Sequence, residues 1–553
     1  MGHPVGLWVL FTTEMWERFC YYGMRAFLVL YLCATLNGDN PGFGWQESDA
    51  YKLYGWFTGL VYLTPLLGGW IADRLIGTHK SVVFGGILIA IGEFCLFITE
   101  YFRAGATETI TLASNPVPYI LFMVGLGVLI LGNGFFKPCI SVMVGELYEP
   151  HDSRRDVAFT YFYMGINVGA FLAPFIAGTV AEKIGWHWGF LTACIGMIFG
   201  LCTYSLFRPK YLGHIGMIDK TPKNTGENKA DFTNAVKEKA PELPKNSRLT
   251  KVEIDRIIVI LVLTTFCVAF WSVFEQAGSS LNTFAKNLTN RRVPAVIAQL
   301  APGAFLVNED KNADTLATEG NESGEAAAEM ASESAVSETK PQTTETAENM
   351  AAGVETSETT QSDQPPIYTF PATWYQSVNP LGIVTLAPLF ALLWGFLARR
   401  KREPSTPLKF GIGLTLLATA YMFMVTAAMQ AEKTNGNAAA HWLFTTYVFC
   451  TLGELCLSPV GLSMVTRLAP KKYASLLMGV WFLSSAVAGY LSGHLAAVLG
   501  SSDGTGGQIN FFFGKSHGLA DYFLLMTLAP LVAGAIVFVL VPKLKKMMHE
   551  EAQ

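Results

Sequence analysis

Charged residues are scarce in this sequence. Asp, Glu, Lys and Arg make up only 15% of its 553 residues, whereas 51% are hydrophobic and 13% are aromatic. The mean hydropathy of +0.34 leaves too little polar surface for a water-soluble protein. No basic stripe dominates, and the formal net charge is −4, so nucleic acid is not expected as a partner. These shortages predict an integral membrane protein.

Cysteine is also scarce, and its spacing indicates no site. The nine cysteines include no C-x-x-C pair, and most stand alone in apolar runs, as Cys20, Cys95 and Cys450 do. We interpret them as small buried apolar residues rather than disulfide partners or metal ligands. The sequence also lacks a metal-ligand His cluster and a folded extramembrane domain. We therefore expect no metal, no cofactor and no enzymatic activity.

Long apolar runs, by contrast, are abundant. A membrane-spanning helix needs about 20 mostly apolar residues, and about twelve runs satisfy that rule. They cover residues 7–36, 51–75, 81–102, 117–144, 158–180, 188–207, 257–284, 381–398, 408–429, 442–464, 476–499 and 522–541. The sequence thus predicts an all-α integral membrane protein with twelve transmembrane helices in a lipid bilayer.

Basic residues near the ends of these runs predict the orientation. With a cytoplasmic N-terminus, the short inside segments hold clusters such as 399–402 and 543–546, whereas the short outside segments hold few basic residues. Since basic residues concentrate in cytoplasmic loops, we expect both termini to lie inside. We further expect a multi-pass protein of the cell membrane, and a monomer.

Two polar segments divide the chain. We expect an N-terminal six-helix bundle at 1–208, a cytoplasmic linker at 209–253 and helix seven at 254–286. An acidic tract rich in Ala, Ser, Thr and Glu follows, so residues 287–372 are interpreted as an external, largely disordered insertion. Residues 373–553 then supply helices eight to twelve and a short cytoplasmic tail.

The first apolar run holds four charged residues, namely Glu14, Glu17, Arg18 and Arg25. Each costs about 2.5–3.5 kcal/mol at the centre of a membrane helix. At helical spacing they share an arc of roughly 140° with Tyr21 and Tyr22, so this face must contact protein or water. The charges either neutralise one another as ion pairs or form a path for protons or substrate.

Other runs hold polar partners for this face. Lys137 lies in the fourth run, Glu275 in the seventh and Glu454 in the tenth, while Asn167 and Asn379 are neutral residues at apolar depth. Each Asn alone could serve helix packing or bind a ligand. The cations belong to the first half of the chain and the acids to the second, which favours a zwitterionic substrate.

Aromatic residues could complete such a site. Tyr21, Tyr22, Tyr62, Trp271 and Trp481 could line side-chain pockets, although Trp481 fits a lipid-packed position equally well. Glu93, in the third run, is left without a preferred role.

Four motifs resemble the proton-dependent oligopeptide transporter (POT) family of the major facilitator superfamily. Residues 14–23 match its E-x-x-E-R-F-x-Y-Y-G motif, and "YLTPLLGGWIADRLIGTHKSV" resembles the signature between its second and third helices. "FYMGINVGAF" and "GELCLSPVGLSMVTRLAP" resemble its fifth- and tenth-helix motifs. The resemblance covers nearly the whole chain apart from the acidic tract.

The resemblance implies a role for each matching residue. Proton coupling would involve Glu14, Glu17, Arg18, Lys137 and Glu275. Arg25 and Glu275 would form the ion pair that closes the outward gate, and Asp73 with Arg74 would form a conformational turn. The peptide site would comprise Arg25, Tyr22, Tyr62, Lys137, Asn167, Trp271, Asn379, Glu454, Trp481 and Ser485.

The function implied by this resemblance is symport of di- and tripeptides with protons, by rocking of two six-helix bundles. A related symporter for nitrate or another small anion or zwitterion is the alternative, because the fold does not fix the substrate. The chain departs from the family at Gly55, where some members have a histidine, so a proton role for that histidine cannot be transferred. It also lacks the two extra linker helices of many bacterial members.

Overall fold

The computed structural model describes residues 2–149, 152, 154–217, 249–293, 307–308, 368–499 and 518–549. They belong to two units. The first comprises Met1–Asn290 together with Ala372–Gln553, and the second comprises Arg291–Pro371. Most of the predicted linker and acidic insertion lies outside the described residues.

Twelve long helices form the described part of the first unit. They are α1 (Val5–Cys33), α2 (Glu47–Ile71), α3 (Thr78–Arg103), α4 (Pro116–Glu146), α5 (Arg154–Ala173), α6 (Trp186–Tyr211), α7 (Lys251–Phe274), α8 (Val378–Arg399), α9 (Thr406–Lys433), α10 (Ala440–Leu468), α11 (Ala474–Leu499) and α12 (Gly518–Met547). Each predicted run lies on one of these helices, so the predicted helix count is confirmed. We call the side at which α1 begins the terminal side, and the side at which it ends the far side.

Ten of these helices, with their extensions, are long and apolar enough to cross a membrane within the described chain. Helices α1 and α2 have 29 and 25 residues, which at 1.5 Å per residue also suffices to span the hydrocarbon core. The four charged residues of α1 are buried, each with at most 6% of its whole-residue surface exposed. They face protein rather than lipid, and the chain is a multi-pass membrane protein.

Several helices continue through irregular turns. A π-helical turn, Ala72–Ile76, extends α2, and another, Pro174–Gly178, joins α5 to a last turn at Thr179–Lys183. Proline at the start of the second turn has no N–H for the helical ladder. A 3₁₀ segment, Ala372–Ser377, precedes α8.

Helix α7 is broken near the far side. A 3₁₀ turn, Glu275–Gly278, separates it from a short helix at Ser280–Asn287. A β-carbon on Gly278 would overlap the hydroxyl of Tyr54 in α2, so glycine allows this close approach. The break brings Glu275 to the first half of the chain.

We call α1–α6 the first half of the chain and α7–α12 the second half. The two halves also meet along α2 and α11. A β-carbon on Gly55 would lie 2.8 Å from the Tyr490 carbonyl oxygen and 2.9 Å from the Gly493 Cα, and one on Gly59 would lie 3.0 Å from the Ala486 carbonyl oxygen. Small residues permit such backbone approach between membrane helices. The space beside Gly55, where the sequence departs from the family it resembles, is therefore filled by backbone from the opposite half.

Short strands occur in both units. In the first, β1 (Thr289–Asn290) pairs in parallel with β4 (Ala438–Ala439). In the second, β2 (Val307–Asn308) pairs antiparallel with β3 (Tyr368–Thr369).

Candidate functional site

A buried charge cluster lies at the middle of α1. Arg18 forms an ion pair with Glu17, and its Nε atom lies 3.2 Å from Oε1 of Glu14. Exposure of the three side chains is 2% or less for Arg18 and Glu17 and 3% for Glu14. One guanidinium therefore serves two carboxylates, as its fork of donors allows.

Asn133 of α4 completes this cluster, and sequence reasoning missed it. Its Nδ2 donates to Oε1 of Glu17 at 3.0 Å, and its Oδ1 accepts from Arg18 at 3.5 Å. Glu17 is thus held from two directions. In contrast, Oε2 of Glu14 is buried with no hydrogen-bond partner among the described residues.

Lys137 follows Asn133 by one helical turn, on the same face of α4. Its Nζ lies 4.2 Å from the centroid of the Tyr62 ring, a cation–π geometry. No carboxylate oxygen of the described chain lies within 4.0 Å of the Lys137 Nζ atom, although the charges of Glu14, Glu17 and Glu275 act on it from a longer distance. Its charge is thus close to the carboxylates but is not held by a direct ion pair.

Arg25 and Glu275 connect the two halves on the far side. Their side chains form an ion pair and are 8% and 11% exposed. The Nε atom of Arg25 also donates to the hydroxyl of Tyr54 at 2.6 Å. The structure therefore brings together the two residues predicted as the gate pair.

A second polar group lies in the C-terminal half. Nδ2 of Asn379 donates to Oε2 of Glu454 at 2.8 Å and lies 3.1 Å from Oγ1 of Thr451. Glu454 is 7% exposed. On α5, Nδ2 of Asn167 donates to the carbonyl oxygen of Tyr163, in its own helix, at 3.0 Å.

Tyr22 links these groups. It is half-buried and lies in electrostatic range of Arg18, Arg25, Glu275 and Glu454. Two cations of the first half, Arg18 and Arg25, and two acids of the second half, Glu275 and Glu454, therefore act on this one tyrosine, and the Arg25 guanidinium carbon lies 5.8 Å from its ring centroid.

The remaining predicted residues differ in their surroundings. Trp271 stacks edge-on with Phe270 and Phe274 in α7, and Ser485 is half-buried. Trp481 is 8% exposed, and its ring fits against Gly461 and near Phe410. It is buried between helices of its own half.

Asp73 and Arg74 lie in the π-helical turn after α2. Arg74 is exposed, and its guanidinium carbon lies 5.3 Å from the Trp70 ring centroid, whereas the side chain of Asp73 lies outside the described part. Glu93 is fully buried, with Oε1 3.5 Å from the Cys20 sulfur.

Most of the nine cysteines are buried, as predicted. All nine lie within the described residues, none of them forms a disulfide, and only Cys202 is exposed. Across the described ranges no group of three or more His, Cys, Asp or Glu residues could hold a metal ion. The contacts described at the site are ion pairs, hydrogen bonds and a cation–π contact.

Comparison with known proteins identifies the family. The sequence profile of the POT family (PTR2) matches residues 79–225 and 358–512, which is more than half of the chain. The uncharacterized transporter YclF of Bacillus subtilis (strain 168) is 32% identical over 550 residues, covering 99% of this chain and 95% of YclF. A di-/tripeptide transporter of Lactococcus lactis subsp. cremoris is 32% identical over 529 residues, 92% of each protein.

A solved structure agrees with these relatives. The crystal structure of a peptide transporter POT in complex with sulfate aligns with a TM-score of 0.70 at 28% identity, over 99% of this chain and 96% of the other. The fold and family predicted from the motifs are confirmed. The chain belongs to the POT family and is a membrane transporter with the major facilitator fold, not an enzyme.

Proposed function

We propose that this protein is a proton-coupled symporter that imports di- and tripeptides by alternating access. The observation that carries the proposal is the set of buried charges, with Arg18 paired to acids within α1, Arg25 paired to Glu275 of the other half, and Glu454 held by Asn379. The name of the Lactococcus lactis relative, a di-/tripeptide transporter, supports the same substrate class.

A short peptide in zwitterionic form matches this grouping. Its carboxylate would be drawn to Lys137 and Arg25, and its ammonium group to Glu454, whose Oε2 is already oriented by Asn379. The match discriminates against solutes of single charge, because one buried group would then lack its partner. Tyr22, Tyr62, Asn167, Trp271, Trp481 and Ser485 would form the rest of the peptide site.

The proton would enter at the cluster on α1. Oε2 of Glu14 has no partner among the described residues, so it can accept a proton without first losing a hydrogen bond. Protonation would weaken the attraction to Arg18, which would then pair with Glu17 alone. Because the charges of both carboxylates act on Lys137, loss of one of them would change how strongly Lys137 attracts the peptide carboxylate.

The gate would be the pair Arg25–Glu275. In the described state this pair joins the halves on the far side, which we assign to the outside of the cell, with both termini in the cytoplasm. A proton on Glu275 would weaken the pair and let the halves separate there. A membrane potential that is negative inside the cell supplies about 2.3 kcal/mol per 100 mV for each proton that enters.

Uptake of a labelled dipeptide into liposomes containing the purified protein tests the proposal. We expect accumulation above the outside concentration with an inward proton gradient and only equilibration without it. If several di- and tripeptides fail to accumulate under the gradient, the proposal is wrong. Accumulation of nitrate or an amino-acid-derived zwitterion in the same assay would establish the alternative symporter. We further propose that the protein acts as a monomer in the cell membrane and needs no cofactor.

A further inference from the structure

Glu182 is a buried carboxylate that the transport mechanism above does not use. It lies in the helical turn Thr179–Lys183 that follows α5, on the far side, and its side chain is 0% exposed. Its Oε1 accepts hydrogen bonds from the backbone N–H and the hydroxyl of Thr373, at 2.9 and 2.8 Å. Its Oε2 accepts from the N–H of Ala372 at 3.1 Å and lies 3.7 Å from Nζ of Lys286. These partners all come from the opposite half of the chain.

The two N–H groups that donate hydrogen bonds to Glu182 belong to the first turn of the segment Ala372–Ser377, which leads into α8. Such N–H groups have no acceptor inside their own helix, and negative charge is stabilised at this end of a helix. A carboxylate usually caps a helix from its own chain segment. Here a carboxylate from the turn Thr179–Lys183 caps a helix of the other half.

Neighbouring contacts hold the same two segments together. Nε1 of Trp374 donates to Oγ1 of Thr179 at 2.8 Å, and Oγ of Ser377 donates to the Phe171 carbonyl oxygen at 2.8 Å. A β-carbon on Gly178 would lie 2.5 Å from Oγ1 of Thr373. Glu182 is thus at the centre of a tight junction between the halves.

These contacts join the two halves and therefore require the halves to lie close together on the far side. Separation of the halves there would remove the bonds to Thr373 and Ala372 and leave the carboxylate to water. A contact made in one conformation and not the other shifts the equilibrium towards the first. The junction shares no residue with the ion pair Arg25–Glu275.

We propose that Glu182 is a second latch that keeps the far side closed, independent of Arg25–Glu275. The inference rests on the alternating access of the proposed function, but not on the identity of the substrate.

Distances between the halves test this latch directly. Nitroxide labels carried by p-acetylphenylalanine at positions 37 and 433, exposed far-side sites of the two halves, allow double electron–electron resonance on the full chain in nanodiscs without peptide or gradient. We expect Glu182→Ala to raise the ratio of open to closed far side at least tenfold. Glu275→Gln should do the same, and the effects of the two substitutions should multiply in the double variant.

Matched variants make the result decisive. Glu100→Ala removes a carboxylate that pairs with Arg103 inside α3, so the distance distribution should stay as in the unsubstituted protein. Thr373→Val removes only one donor to Glu182 and should give a smaller rise; it serves in place of Glu182→Ala if that variant does not fold. Opening by Glu275→Gln but not by either latch variant would overturn the latch alone. No opening in any variant would overturn the latch and alternating access together.

Discussion

Gly55 and Gly493 face each other so closely that a β-carbon on Gly55 would lie 2.9 Å from the Cα of Gly493. A side chain at either position must push α2 and α11 apart. The substitution Gly55→Ala should therefore destabilise the protein by about 1–3 kcal/mol, the usual cost of overpacking, and reduce peptide uptake. Gly55→His should abolish both folding yield and uptake.

Thermal unfolding and liposome uptake measure this effect. Gly127→Ala is the control, because a β-carbon on Gly127 in α4 meets no heavy atom within 4 Å. A Gly55→His variant that folds and transports normally would show that the close approach of α2 and α11 is not required.

Neutralising a carboxylate of the α1 cluster should separate binding from proton coupling. Glu14→Gln removes the proposed proton site, and Glu17→Gln removes the carboxylate with which Arg18 would then pair, so accumulation driven by the gradient should disappear in both variants while exchange of peptide for peptide continues. The two modes are measured on the same liposomes. Glu100→Gln, outside the cluster, should accumulate peptide normally. Unchanged uphill uptake by Glu17→Gln would refute its proposed role.

Asn133 should matter as much as the charges it contacts. Asn133→Leu has nearly the same size but removes the hydrogen bond to Glu17, and bonds to charged groups contribute about 1.5–3 kcal/mol. We expect a lower unfolding temperature and a loss of at least tenfold in gradient-driven uptake. Ser141→Ala, in the same helix, removes only a 3.4 Å bond to the carbonyl oxygen of Lys137 and should have little effect. Equal behaviour of the two variants would count against Asn133.

Glu454→Gln should remove the preference for a free amino group. Because a buried hydrogen bond between charged partners is lost, uptake of a dipeptide should fall about 10–100-fold, in keeping with 1.5–3 kcal/mol. The N-acetylated dipeptide should be a poor substrate of both the unsubstituted protein and the Glu454→Gln variant. Competition assays with the free and the N-acetylated dipeptide give the ratio of their uptake. If Glu454→Gln leaves this ratio unchanged, the ammonium group binds elsewhere.

Most of the acidic tract should be dispensable. Deleting residues 309–363 spares the strand pair β2–β3 and should leave uptake within about twofold of the full chain, since the tract has too few apolar residues for a core. Uptake is compared after division by the amount of each protein in the membrane. A large loss would assign the tract a role in transport.

The helices could be read from the sequence because spanning the membrane demands long apolar runs. The site was predictable in part for the same reason: Arg18 or Glu275 at apolar depth is costly and stands out. Asn133 escaped notice because a neutral amide between two glycines resembles a packing residue. Its contact with Glu17 depends on how α1 and α4 are rotated, which no local pattern specifies.

Other features depend on contacts that sequence spacing does not contain. The sequence predicts Lys137 as a partner of the α1 carboxylates. In the structure its ammonium group lies over the ring of Tyr62. Gly55 was notable only as a missing histidine, although the backbone of α11 occupies that space. Glu182 stands at a helix end, where acidic residues are usually hydrated.

The break in α7 has a consequence for the order of events during transport. Glu275 lies at the start of the 3₁₀ turn, whereas Lys286, beside Glu182, lies in the short helix beyond it. The ion pair Arg25–Glu275 and the contact Lys286–Glu182 therefore lie on opposite sides of the break in α7. If the two are released separately, opening of the far side would pass through an intermediate in which only one of them is broken.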